Sequence, residues 1–138
     1  MSESVSHYKM VLSIKQWIIN CFKDKEKLYV WCDTPEDRKS EVPCRIEGFI
    51  PDVYAKLINS SREIIGEAKT ANDIDSKHTE KQLAAFLKLC SRNDGMILVL
   101  AVPWDLVRYT RSLVEYWKKK YHAENTRTII LEKLRYYF

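Results

Sequence analysis

The run MILVLAV, from Met96 to Val102, constrains the fold more than any other part of the chain. Gly95 and Pro103 bracket it, and every position within it is apolar. With no polar side to turn to water, such a segment reads as a strand buried on both faces. It is far shorter than the about 20 residues that span a bilayer. A helical pattern precedes it between Thr79 and Leu89, where Leu83, Phe86, Leu87 and Cys90 fall on one stripe. Asn93-Asp94-Gly95 ends that helix, and Gly95 suits a left-handed cap. A buried strand reached through a helix implies an α/β architecture: a mixed sheet with helices packed against it.

The rest of the chain fits that frame. From Tyr8 to Phe22, Val11, Ile14, Trp17, Ile18, Cys21 and Phe22 recur at helical spacing. Beyond the charged turn KDKEK, LYVWC (Leu28–Cys32) is rich in strand formers. DTPEDRKSE reads as a loop, and strand-like residues run from Val42 towards Leu57. Asn59, Ser60 and Ser61 break that run before the return strand REIIGEAKT. After Pro103, Asp105 is suited to cap a helix reaching about Lys120, and TRTIILEKLRYYF is a last strand or a packed tail.

The 138 residues are expected to form a single domain. The N-terminal MSESVSHYKM lacks the basic region and apolar core of a signal peptide, so a cytoplasmic protein is expected, with no membrane partner. Cys21, Cys32, Cys44 and Cys90 form no C-x-x-C pair, which argues against a zinc site and for reduced thiols packed as small hydrophobes. The net charge of +4 is compatible with a polyanionic partner without demanding one.

The chemistry concentrates in GFIPDVYAKLINSSREIIGEAKT, Gly48 to Thr70. Alternation puts Glu67 and Lys69 on one face of the return strand. A two-residue turn at Asn59-Ser60 would set Asp52 opposite Glu67, and one at Ser60-Ser61 would set it opposite Lys69. A three-residue loop would flip one strand and separate the three side chains. Directly opposed carboxylates, with Cβ atoms about 4.5–5.5 Å apart, repel unless something neutralises them. Mg²⁺ would do so through their oxygens, and would polarise a phosphoryl group and a water. The Lys69 ammonium could orient that water or offset charge at phosphorus. The plainer alternative is a set of solvated strand-end charges worth less than about 1 kcal/mol per pair.

Pro51-Asp52 followed by Glu67-Ala68-Lys69 resembles the signature of the PD-(D/E)XK nuclease superfamily, which includes restriction endonucleases and Holliday-junction resolvases. The order of helix, three strands, helix and strand over roughly residues 8–102 is similar to that family's core. The resemblance implies a restriction-endonuclease-like fold, with residues 105–138 as an added helix and tail. It implies a Mg²⁺-dependent DNA endonuclease, with Mn²⁺ able to substitute. Asp52 and Glu67 would bind the metal, joined by the Ala68 carbonyl, and Lys69 would be the catalytic lysine. Gln82 matches a glutamine that several relatives carry on the following helix. It also fits a capping box, Thr79-Glu80-Lys81-Gln82, and the two roles are compatible.

Many relatives carry a further acid on the first helix, where this chain has none before Asp24. Glu3 and His7 lie nearest its start, and His7 could substitute as a polar or ligating group, although a lone histidine near a chain end is more often a surface residue. Glu47 is a weaker candidate, since strict alternation puts it on the other face from Asp52. Lys77, His78 and Lys81 follow the E-x-K strand and are candidate contacts to a DNA backbone; Arg108, Arg111 and Lys118 to Lys120 lie on the third helix. Each is otherwise a solvated charge. No base-reading module is visible, so structure-selective cutting, or specificity supplied by a protein partner, is expected. A homodimer would cut two strands, with LRYYF a candidate contact. A nuclease-like domain that binds nucleic acid without cutting it is the alternative.

Overall fold

The computed structural model describes residues 5–22, 27–34 and 43–133. Its elements are α1 (Val5–Phe22), β1 (Leu28–Cys32), β2 (Val53–Leu57), β3 (Arg62–Ala68), α2 (Lys77–Ser91), β4 (Met96–Pro103), α3 (Val107–Lys120) and β5 (Arg127–Lys133). The strands form one mixed sheet in the order β1-β2-β3-β4-β5. β1, β2 and β3 pair antiparallel, whereas β3, β4 and β5 pair parallel. This is an α/β architecture with helices on both faces, in the element order expected from the sequence.

β4 is buried from Met96 through Val102, with Ile97, Val99 and Ala101 facing one core and Leu98 and Leu100 the other. The first core joins α1, through Met10, Val11, Ile14 and Ile18, to Val53, Ala55 and Ile64 of the hairpin. The second joins α2 and α3, through Leu83, Phe86, Leu87, Val114 and Trp117, to Ile65 and β4. Two independently filled faces explain why the central strand tolerates no polar residue.

Gly66 sets the seat of α1. A Cβ there would lie 2.7 Å from Ile14 Cγ2 and 3.1 Å from Val53 Cβ, so only glycine admits the helix this close to β3.

Several local expectations are corrected. The strand expected from Val42 begins only at Val53; it is preceded by an isolated Ile46–Phe49 bridge around a turn in which Glu47 and Gly48 have positive φ. Asp105 does not cap α3: a short 3-10 turn, Trp104–Leu106, intervenes, and Leu106 precedes the helix without a side-chain cap. Gly95 is not left-handed, and the C-cap of α2 is Arg92 in right-handed geometry; Gly95 O instead accepts from Glu63 N–H at 3.1 Å. The final segment is a strand, β5, up to Lys133, and the LRYYF tail lies outside the described residues. All four cysteines are free thiols; Cys32 and Cys90 are buried, whereas Cys44 is exposed. Burial pushes the Cys90 thiol up to about 12.

Candidate functional site

The β2–β3 hairpin closes through Ile58–Ser61, with Ser61 left-handed at φ 57°, between the paired residues Leu57 and Arg62. This loop has the same parity as a two-residue turn at Asn59-Ser60, so the register runs on to set Asp52 opposite Glu67. Past the last ladder pair, Val53 and Gly66, the side chains take over. Asp52 N–H donates to Glu67 Oε1 at 3.0 Å, and Ala68 N–H donates to Asp52 Oδ2 at 2.9 Å. Each carboxylate therefore accepts a backbone donor from the opposite strand, which locks both side chains at the end of the hairpin.

Lys69 follows directly. Its N–H donates to Ala101 O at 3.0 Å, extending the parallel ladder one residue beyond β3. Its Nζ lies 3.2 Å from Glu67 Oε2 and donates to Gln82 Oε1 at 2.5 Å. Asp52, Glu67, Lys69 and Gln82 are all buried, none more than 7% exposed. The surface-charge alternative is thereby excluded.

The connection TANDIDSKH brings Gln82 into place. Thr70 Oγ1 donates to Asp73 Oδ2 at 2.8 Å, and Ile74 N–H donates back to Thr70 O at 3.2 Å, tucking the buried Ile74 inward. Ser76 then caps α2 by accepting from Thr79 N–H at 3.1 Å, while Thr79 Oγ1 donates to Asp73 O at 2.7 Å. The expected capping box at Thr79 is therefore replaced by a cap at Ser76. Gln82 faces Lys69 instead of reaching back to the helix start.

His7, on the first turns of α1, brings Nε2 to 3.1 Å from Asp52 Oδ2. It belongs to the cluster and is partly buried there. Asp33, which sequence reasoning passed over, borders the site: its N–H donates to Asp52 O at 2.9 Å. The available signal was its position immediately after LYVWC. Glu47 is exposed in its turn, and Glu3 lies outside the described residues. Lys77, His78 and Lys81 are exposed on the first turns of α2, and Arg108 and Arg111 are exposed on α3. Lys118 is buried beside Glu115 at 3.4 Å, so it is not the solvated charge expected.

The electrostatics are those of a site short of positive charge. Burial first, then the Asp52 carboxylate, pushes the Glu67 carboxyl well above its ordinary range, against the opposing pull of Lys69 and the Asp52 N–H. Two closely set carboxylates with hard oxygen donors suit a divalent cation that keeps waters and takes phosphate oxygens as further ligands. Among the described residues, no group of three or more His, Cys, Asp and Glu side chains is arranged to hold a metal. No helix among the described residues is long and apolar enough to cross a membrane.

No family model matches the chain, and no curated protein matches it. Among solved structures, it is similar to MunI restriction endonuclease in complex with cognate DNA. The identity is 14% and the TM-score 0.42, over 91% of this chain and 88% of that one. A likeness this distant carries no argument about the chemistry of the present site.

Proposed function

We propose that the chain is a Mg²⁺-dependent DNA endonuclease formed by one nuclease-like domain, with Mn²⁺ able to substitute. One observation carries the reading: two buried carboxylates on adjacent strands share a face with an ammonium held between Glu67 and Gln82. Asp52 and Glu67 would hold the cation, which when bound supplies Lewis-acid polarisation of a phosphoryl oxygen and a water of lowered pKa. Lys69 orients the attacking water and offsets the charge that develops at phosphorus. Gln82 fixes the Lys69 ammonium, and His7 restrains the Asp52 carboxylate. In the hydrolysis, the water oxygen bonds to phosphorus as the P–O ester bond opposite it breaks; the water gives up one proton to solvent, and the departing ester oxygen takes one up. Lys77 and Lys81 contact the phosphate backbone from the first two turns of α2, which makes binding salt-dependent. The protein acts in the cytoplasm, as a homodimer where both strands are cut or with a partner that supplies specificity.

A module that holds nucleic acid without cutting it is the second reading, favoured by the lack of a third ligand among the described residues. Incubation with branched, nicked and linear DNA, with Mg²⁺, Mn²⁺ or chelator, separates the two. Metal-dependent cleavage that disappears in Asp52→Ala and Lys69→Ala supports the endonuclease. Cleavage that survives both substitutions removes the site assignment, and binding without cleavage favours the module.

A further inference from the structure

A second feature lies on the same sheet face, one step from the carboxylates. Tyr54 is two residues along from Asp52 and stands directly opposite Trp31 on β1. Their rings lie 5.6 Å apart at 33°, and Trp31 stacks in turn on Tyr29 at 6.0 Å and 26°. The ladder runs outward to the edge strand and becomes more exposed as it goes: Tyr54 and Trp31 are partly buried, and Tyr29 is 41% exposed. Its inner end is fixed by a hydrogen bond from the Tyr54 hydroxyl to Glu63. Its outer end carries cations. Lys27 Nζ sits 5.5 Å from the centre of the Tyr29 ring, and the exposed Lys56 is the register partner of Tyr29.

Core packing explains the inner ring but not the outer one. An edge strand that presents a large aromatic to water, flanked by lysines, combines π-surface with charge suited to phosphate. Stacking of bases on aromatic side chains, with cations along the backbone, is how proteins hold unpaired strands irrespective of sequence. A duplex hides its base faces in its own stack, so this surface discriminates against it. We propose that Tyr29, Trp31 and Tyr54 form a stacking platform for unpaired bases of a DNA strand running into the Asp52–Glu67–Lys69 site, with Lys27 and Lys56 on its phosphates. The inference rests on the nuclease reading for what happens to that strand, and it narrows the substrate class to DNA with an unpaired segment.

Binding measured in chelator separates the platform from catalysis. Fluorescence anisotropy with a labelled oligothymidine and with a blunt duplex of equal length reads both affinities. Tyr29→Ala, at the exposed end where folding is least at risk, is expected to weaken oligothymidine binding on the order of tenfold, the range for loss of one base stack, and to leave duplex binding nearly unchanged. Trp31→Leu gives the same selective loss, with circular dichroism confirming the fold, and Lys27→Gln flattens the salt dependence by about one counterion. Unchanged oligothymidine affinity in folded Tyr29→Ala overturns the proposal, as does an equal loss for both ligands. Selective loss together with no metal-dependent cleavage by the unmodified protein upholds the platform and rejects the nuclease reading.

Discussion

Replacing Lys69 by Met tests the electrostatic account of the site most directly. The ammonium sits 3.2 Å from Glu67 Oε2 and 2.5 Å from Gln82 Oε1, in surroundings where all three side chains are buried. At an effective dielectric of about 20, an opposite charge at that separation gives about 5 kcal/mol of gross attraction. The Gln82 acceptor also loses its partner, which costs about 1–3 kcal/mol. Proton uptake by Glu67 offsets part of this, so the expected net loss is about 3–5 kcal/mol, the range for breaking a buried pair. The pH dependence follows from the sign of the Glu67 shift. Its folded-state carboxyl titrates well above the ordinary 4.5, and removing the Lys69 charge, which opposes that shift, raises it further. A carboxyl raised in the folded state favours folding below its unfolded pKa, and that contribution is lost as pH rises through the folded value. The cost of Lys69→Met therefore grows as pH rises through the raised folded-state range of Glu67, above the ordinary 4.5. Adding Glu67→Gln removes both the titration and the repulsion with Asp52, and should recover about 2 kcal/mol at the upper end while flattening the profile. Urea unfolding of the single and double variants in chelator measures each quantity. A penalty equal at both ends of the pH range, or a double variant no more stable than Lys69→Met, would refute the reasoning.

Other substitutions probe the scaffold. Gly66→Ala drives a methyl to 2.7 Å from Ile14 Cγ2 and should cost about 1–3 kcal/mol in denaturant unfolding, with cleavage impaired because β3 carries Glu67. Ser76→Ala removes the N-cap of α2 and should cost about 1 kcal/mol in the same assay. Thr110→Val deletes a buried hydroxyl with no hydrogen-bond partner among the described residues; calorimetry should show stability unchanged or raised by up to about 1 kcal/mol. Deleting Asn59 changes the parity of the hairpin loop, and the expected result is loss of the cooperative unfolding transition, read by circular dichroism.

Elements whose burial is one-sided or complete were legible in the sequence, because periodicity reports burial. MILVLAV, the α1 stripe and the α2 stripe fall where their spacing puts them. The failures are of another kind. From Pro43 to Asp52, within the stretch read as strand-like, the chain turns at Glu47-Gly48 and makes the isolated Ile46–Phe49 bridge before it joins the sheet at Val53. The cap of α2 was misplaced because Ser76 and Thr79 both have capping side chains. The accepted bond from Thr79 N–H and the Thr79 hydroxyl's bond to Asp73 O decide between them, and neither is visible in residue type.

The site depends on a quantity that sequence states only as alternatives. Asp52, Glu67 and Lys69 share a face only if the loop between β2 and β3 has even parity, and Asn59, Ser60 and Ser61 allow several closures. The fold selects among them through burial on the other face. Val53, Ala55, Leu57 and Ile64 are all fully or nearly fully buried against α1, and a one-residue slip would turn that set away from the helix. Gly66 reinforces the same choice, since no other residue of β3 could meet Ile14 at that distance. The apolar core under α1 thus sets the register that gathers the charges on the opposite face. The neighbouring β1–β2 register aligns Trp31 with Tyr54 and Tyr29 with Lys56, and the same core holds it through Cys32, with Leu28 and Val30 packed alongside, so the acid pair and the aromatic ladder both depend on packing against α1. A variant that repacks α1 on β3 should therefore disturb cleavage and oligothymidine binding together, although it touches neither surface.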